Sequence, residues 1–181
     1  FTMRDCHVYT EPGTAFSHPT LVECYVNSDK VPNRNNDYAT FTGCLFEGGW
    51  IGVQLGGTSI VKPALPVETG GRIEDCTFVG QGSKAIYISS EASASILRNY
   101  IESGMNAQSS YYGMDIYRAS GDFLVEGNTI VHGYGKSTSS GIYLRPMRGT
   151  EEARPRIINN EIAFTDAAGN VVGINVAGSS S

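Results

Sequence analysis

The chain has 181 residues, enough for one domain of ordinary size, with 40% hydrophobic residues and a formal net charge of −5. That charge, a pI near 5.1 and the lack of any Lys/Arg cluster argue against a nucleic-acid partner. No apolar run approaches the roughly 20 residues that a membrane span needs, and no secretory leader is visible, although Phe1 already lies inside a repeat and reads as a cut end.

Taken in order, the chain writes one phrase seven times: apolar, two variable, Cys or Asn, one variable, apolar. The copies are Met3-Arg4-Asp5-Cys6-His7-Val8, Leu21-Val22-Glu23-Cys24-Tyr25-Val26, Phe41-Thr42-Gly43-Cys44-Leu45-Phe46, Ile73-Glu74-Asp75-Cys76-Thr77-Phe78, Ile96-Leu97-Arg98-Asn99-Tyr100-Ile101, Val125-Glu126-Gly127-Asn128-Thr129-Ile130 and Ile157-Ile158-Asn159-Asn160-Glu161-Ile162. The key residues 6, 24, 44, 76, 99, 128 and 160 are 18 to 32 residues apart. Such spacing, with loops of variable length between copies, predicts a solenoid of seven coils, a rod of about 34 Å at the usual strand spacing.

A second phrase follows in five repeats: Gly52-Val53-Gln54-Leu55, Ala85-Ile86-Tyr87-Ile88, Gly113-Met114-Asp115-Ile116, Gly141-Ile142-Tyr143-Leu144 and Gly173-Ile174-Asn175-Val176. Apolar residues two apart predict a short strand with one face buried. Gln54, Tyr87, Asp115, Tyr143 and Asn175 then form one outward row, each phrase entered through a small residue that lets the backbone turn. The first two repeats show no clean second phrase. Segments 27–40, 56–72, 102–112, 131–140, 145–155 and 163–172 are loops by composition, and no sustained 3.6-residue period predicts a helix. Four cysteines at one shared repeat position predict a stack of reduced thiols rather than disulfides, compatible with folding in a reducing cytoplasm. No CxxC or His spacing suggests zinc.

These phrases resemble the right-handed parallel β-helix proteins, the pectin-lyase-like superfamily, over residues 1–178. The resemblance implies an all-β single β-helix domain over 1–181, with Asn99, Asn128 and Asn160 matching the family's asparagine ladder and the four Cys departing from it. The second phrase matches the family's first strand, whose outward face binds polysaccharide there. It also implies an extracellular, cell-surface or virion setting: a phage tailspike or depolymerase, or a polysaccharide lyase, hydrolase or epimerase.

On that face the expected substrate-binding residues are Tyr87, Tyr117, Arg118, Trp50, Tyr112 and Tyr134, with Tyr111 nearby. Aromatic faces suit sugar rings, and Arg suits the carboxylate of an acidic sugar. Asp115, Arg145, Tyr143 and His132 are the expected catalytic residues. Hydrolysis needs a second carboxylate beside Asp115, with Glu91, Asp122, Glu151 and Glu152 on following loops. Elimination needs a base (Tyr143, His132 or an Arg) and a cation (Arg145 or Arg118) to neutralise a uronate. One acid per face does not make a calcium site, and no metal or other cofactor is expected. His7 and His18 read as surface residues. The expected partner is a polysaccharide, acidic sugars included. A solenoid needs its ends covered, so the chain is expected to be a piece of something longer or a homotrimer. The alternative function is a non-catalytic shaft, such as a tail-fibre or adhesin segment.

Overall fold

The computed structural model describes residues 1–10, 19–26, 37–57, 68–103, 110–133, 138–147, 153–165 and 169–178. The chain winds through β1 (Thr2–Arg4), β2 (His7–Tyr9) and β3 (Thr20–Val26), then β4 (Thr40–Thr42), β5 (Leu45–Glu47) and β6 (Ile51–Gly57). A short β7 (Glu68–Thr69) precedes β8 (Arg72–Glu74), β9 (Thr77–Gln81) and β10 (Lys84–Ser89). A short β11 (Glu91–Ala92) precedes β12 (Ser95–Leu97), β13 (Tyr100–Ser103) and β14 (Tyr112–Tyr117). The last two coils are β15 (Leu124–Glu126), β16 (Thr129–His132) and β17 (Ser139–Arg145), then β18 (Arg156–Ile158), β19 (Glu161–Phe164) and β20 (Val171–Val176). Three six-stranded parallel sheets result. The first is β1-β4-β8-β12-β15-β18, the second β2-β5-β9-β13-β16-β19 and the third β3-β6-β10-β14-β17-β20. This is the parallel solenoid that the repeats predict, with six coils among the described residues rather than seven.

The missing coil is a misread cysteine. Cys24 lies in β3, where it pairs with Leu55 while Val22 pairs with Val53. Val22-Glu23-Cys24 is therefore the first coil's second phrase, in which Cys takes the place of an inward aliphatic residue. The other six key residues occupy one turn line between the first and second sheets.

Each of those turns is built the same way. The residue before the key one adopts a left-handed conformation: Asp5 (φ 48°), Gly43 (64°), Asp75 (52°), Arg98 (50°), Gly127 (66°) and Asn159 (53°). One such residue reverses the strand within two positions, and Gly, Asn and Asp tolerate it best. The following side chain then points inward. Asn128 Oδ1 accepts from the Asn99 backbone N–H at 2.9 Å, and Asn128 Nδ2 donates to Ile96 O (2.9 Å) and to Asn160 Oδ1 (2.8 Å). Asn99 Oδ1 in turn accepts from the Cys76 N–H at 2.9 Å. The thiols bond too: Cys6, Cys44 and Cys76 donate to the carbonyls of Arg4, Thr42 and Glu74. All four cysteines are free, and burial pushes the Cys76 thiol up to about 11, so it stays protonated at neutral pH.

The inward aliphatics predicted for the third sheet fill the core with Phe41, Phe46, Phe78, Ile73, Ile96, Ile101 and Ile130. Ile174 and Val176 are exposed on β20, the sheet's edge. The glycine leading the second phrase at positions 52, 113 and 141 is required by space, not by backbone freedom, whereas Gly173 at the end of the rod has open space around it. A Cβ on Gly113 would lie 2.8 Å from Ile130 Cγ2 and one on Gly141 2.6 Å from Ile162 Cγ2, where the second and third sheets converge.

Buried titratable groups lie at the corners, among them Glu91 and His132. Glu91 pairs with Glu68 across β11 and β7 and accepts from the Gly71 N–H at 3.0 Å. Burial, with the charges of Glu68 and Asp37, pushes its carboxyl up to about 7. His132, fully buried on β16, has its pKa lowered by the same desolvation.

Three outcomes follow from this architecture. Asn128→Ala is expected to lower stability by about 1–3 kcal/mol, because it strands buried turn amides, and Asn128→Cys by less; thermal melting followed by circular dichroism measures both. Gly127→Ala is expected to cost about 1 kcal/mol from conformation alone, since the new Cβ meets only Arg98 Cγ at 3.4 Å, whereas Gly127→Asn is near neutral. Glu91 holds its proton more tightly folded than unfolded, so it stabilises the fold fully below pH 4.5 and that contribution is lost as pH rises to about 7. His132 acts oppositely, losing stability as pH falls below its ordinary value near 6.5. Denaturant titrations of Glu91→Gln across this range should remove the first slope, worth on the order of 3 kcal/mol, and leave the second; an unchanged profile contradicts the assignment.

Candidate functional site

The outward face of the third sheet is ordered by strand register. Its central row runs Glu23, Gln54, Tyr87, Asp115, Tyr143 and Asn175. A second row places Ser89 beside Tyr117 and Tyr117 beside Arg145, and a third places Lys84 beside Tyr112 and Tyr112 beside Ser140. The predicted row is thus present. It also gains Glu23, a second acid hidden by the misplacement of Cys24.

Asp115 is the hub. Its two oxygens accept from Arg145 Nε (2.9 Å) and Nη2 (2.8 Å) in a two-pronged pair, and Lys84 Nζ lies 2.6 Å from Oδ2. Although it points away from the core, Asp115 is only 2% exposed, because these cations and the neighbouring rings cover it. The cations are themselves stacked on tyrosines. Lys84 Nζ is 4.1 Å from the Tyr87 ring centre, and the Arg145 guanidinium is 4.7 Å from Tyr117 and 5.6 Å from Tyr143. The Arg118 guanidinium is 4.7 Å from Tyr117. Tyr112 and Tyr143 stack at 5.1 Å with planes 18° apart. Burial works against the charge on Arg145, but Asp115 and the Tyr87 hydroxyl more than offset it and its pKa goes up.

Chemically, this is a shelf of aromatic faces with charged donors between them. Lys84 and Arg145 bring two positive charges against the one of Asp115, and their side chains remain 20% and 29% exposed. An approaching ligand meets the cations and rings; the carboxylate orders them from beneath.

Tyr87, Asp115, Tyr143, Tyr117, Arg118, Arg145 and Tyr112 therefore come together as expected. Trp50 stands at the loop edge of the same sheet, its ring lying over Gly82, where a Cβ would meet Cε3 at 2.8 Å; its carbonyl accepts from the Lys84 N–H. His132 does not join the face. On β16 it alternates inward with Ile130, and its ring packs edge-on to Tyr111 at 5.0 Å and against Phe164 at 5.6 Å. Tyr111 is likewise fully buried. Of the acids expected to assist Asp115, Glu91 faces Glu68 and Asp37 in the interior, and Asp122 is exposed on the bend before β15. Tyr134, His18, Glu151 and Glu152 lie outside the described residues. His7, on the second sheet, pairs with Glu47 at 3.1 Å.

Lys84 was missed by sequence reasoning. It stands three positions before Tyr87, out of step with a two-residue period, because the small residue after it turns inward against the second sheet. Following that irregularity back through Tyr112 and Lys84 recovers the row.

No helix long and apolar enough to cross a membrane occurs among the described residues. Neither the curated proteins nor the solved structures yield a match to this chain. A family profile described as the right handed beta helix region matches residues 33–181. With most of its length inside that match and three parallel sheets wound around a Cys/Asn turn line, the chain belongs to the right-handed β-helix family.

Proposed function

We propose that the outward face of the third sheet binds a polysaccharide carrying acidic sugars, outside the cell or on a virion. The observation that carries this reading is the Asp115-ordered pair Lys84 and Arg145, set among Tyr87, Tyr112, Tyr117 and Tyr143 on adjacent coils. Each sugar ring has apolar faces for the tyrosines, and an anionic substituent has donors in Lys84 and Arg145. Parallel coils about 4.8 Å apart repeat the arrangement along the rod, which suits a linear chain lying across several strands.

Degradation of the bound chain is the further part of the proposal. Elimination fits the residues at hand better than hydrolysis. Cations that neutralise a uronate are present, whereas the carboxylate of Asp115 is committed to them, and Glu91 and Asp122 are placed elsewhere. The second reading, a non-catalytic adhesive or structural shaft, is favoured by that same commitment, because a fully paired Asp115 is a strut rather than a reagent. A homotrimer displaying three such faces extends either reading, and light scattering of the purified chain tests it.

Affinity electrophoresis against polyuronates and neutral dextran tests the binding. Lys84→Gln and Tyr117→Ala are each expected to weaken retention by the acidic polymers about tenfold, or about 1.4 kcal/mol, and to leave the melting curve nearly unchanged. Arg145→Ala leaves Asp115 under-paired and should lower both retention and stability. Equal retention of all variants moves the site away from this face. With a retained polymer, an unsaturated uronate product marks elimination, new reducing ends without unsaturation mark hydrolysis, and binding without either marks the shaft.

A further inference from the structure

A column of polar side chains runs inside the solenoid where the second sheet turns toward the third. Gln81, Ser103, His132 and Phe164 follow one another on β9, β13, β16 and β19, with Ser103 in register with Gln81 and His132 with Phe164. Ser103 also touches the His132 coil, its Oγ accepting from the Gly133 N–H at 3.0 Å. Tyr111 closes the column edge-on to His132. Gln81, His132 and Tyr111 are all fully buried.

The hydrogen bonds of this column do not close among the described residues. Gln81 Nε2 donates to the carbonyls of Phe46, Gly48 and Val79 at 2.9–3.2 Å, which fixes the amide's orientation and leaves Oε1 facing away from them. Gln81 Oε1, His132 Nδ1, His132 Nε2 and the Tyr111 hydroxyl have no hydrogen-bond partner among the described residues. A neutral imidazole needs one donor and one acceptor, the amide oxygen needs a donor, and the phenol offers both. Each such group left dry would cost about 1–3 kcal/mol, and such orphans are otherwise rare in native interiors. The backbone is also irregular here: the β9–β13 register shifts between Glu102 and Ser103, and Gly80 adopts φ 80°. Such a register shift leaves a residue unpaired and the ladder locally disrupted.

We infer that this corner is a binding site for internal water: a short hydrogen-bonded chain bridging Gln81 Oε1, the two His132 nitrogens and the Tyr111 hydroxyl. Water is the one small ligand that both donates and accepts at every member of this set, and polar buried sites of this composition are occupied by it whereas apolar ones stay dry. His132 is then a water ligand in the wall of the solenoid, not a residue of the outward face. The inference is independent of what the third sheet binds.

Oxygen-17 relaxation dispersion of the intact chain counts long-lived internal waters, and Tyr111→Phe removes one hydroxyl from the column without changing its shape. Long-lived water is expected in the unsubstituted protein and should be reduced in Tyr111→Phe, which should melt about 2–4 °C lower because a bridging bond is lost. A dry corner gives the opposite sign: deleting an orphaned hydroxyl raises the melting point. A higher melting point, an unchanged dispersion amplitude in the variant, or no long-lived water in the unsubstituted chain each overturns the inference. The last of these needs no variant at all.

Discussion

The structure depends on a single reversal repeated six times: a left-handed residue followed by a side chain that turns inward, and in the last three copies bonds the coil beside it. Asn99, Asn128 and Asn160 make this bond with both ends of the amide, so each coil's turn fixes the height and phase of the next. Once the turn is fixed, the short strands on either side pair in register, the one shift among them lying at the far end of β13 between Glu102 and Ser103. The cost of six left-handed residues, five of them Gly, Asn or Asp, is small beside the core that they align. Arg98 is the exception, and it holds the conformation while pairing with Glu74 and Asp75 of the preceding coil.

The candidate site inherits its order from that register. The positions of Tyr87, Asp115 and Tyr143 in one row, and of Arg145 one strand beyond Asp115, are properties of strand pairing. What the pairing does not supply is the direction of a long side chain. Arg145 reaches back across a strand because Asp115 offers two acceptors, and it lies over Tyr117 and Tyr143 because their faces are the remaining surface. A buried acid with two cations above it gives a surface whose outward charge is positive on a chain whose total is negative.

The turn line was legible because every copy answers the same steric demand, so Asn128 and Asn160 announce each other. Cys24 was misread because its neighbours, Leu21 and Val26, stand at the turn phrase's spacing while the real signal, pairing with Leu55, connects residues far apart in sequence. The loss of Glu23 from the outward row followed directly. His132 looked accessible because it adjoins a Gly-rich loop, yet the two-residue alternation of β16, already visible in Ile130, sends it inward. Lys84 was hidden by a break in that alternation: Ala85 and Ile86 are both buried, and in the next two coils Ile130 and Ile162 crowd the glycines at the position equivalent to Ala85. Sequence periodicity thus carries the architecture. Side-chain partnerships across coils carry the chemistry, and periodicity does not encode them.

The change from Cys to Asn along the turn line divides the rod by the kind of cohesion it uses. Among the first three coils the ladder thiols donate back to their own strands, and the side-chain contacts between neighbouring coils are rings instead: Phe1 on Phe41 and Phe46 on Phe78, with Phe41 against Phe46 linking the two within one coil. From Asn99 onward the coils are joined by an unbroken line of amides. Both halves rest on one apolar core, whose cohesion fades on cooling, but only the later half adds the amide line to it, so the two halves of the rod have different temperature characters. In the cold, the aromatic half opens first while the amide half keeps its winding, and amide hydrogen exchange at low temperature reads that order directly.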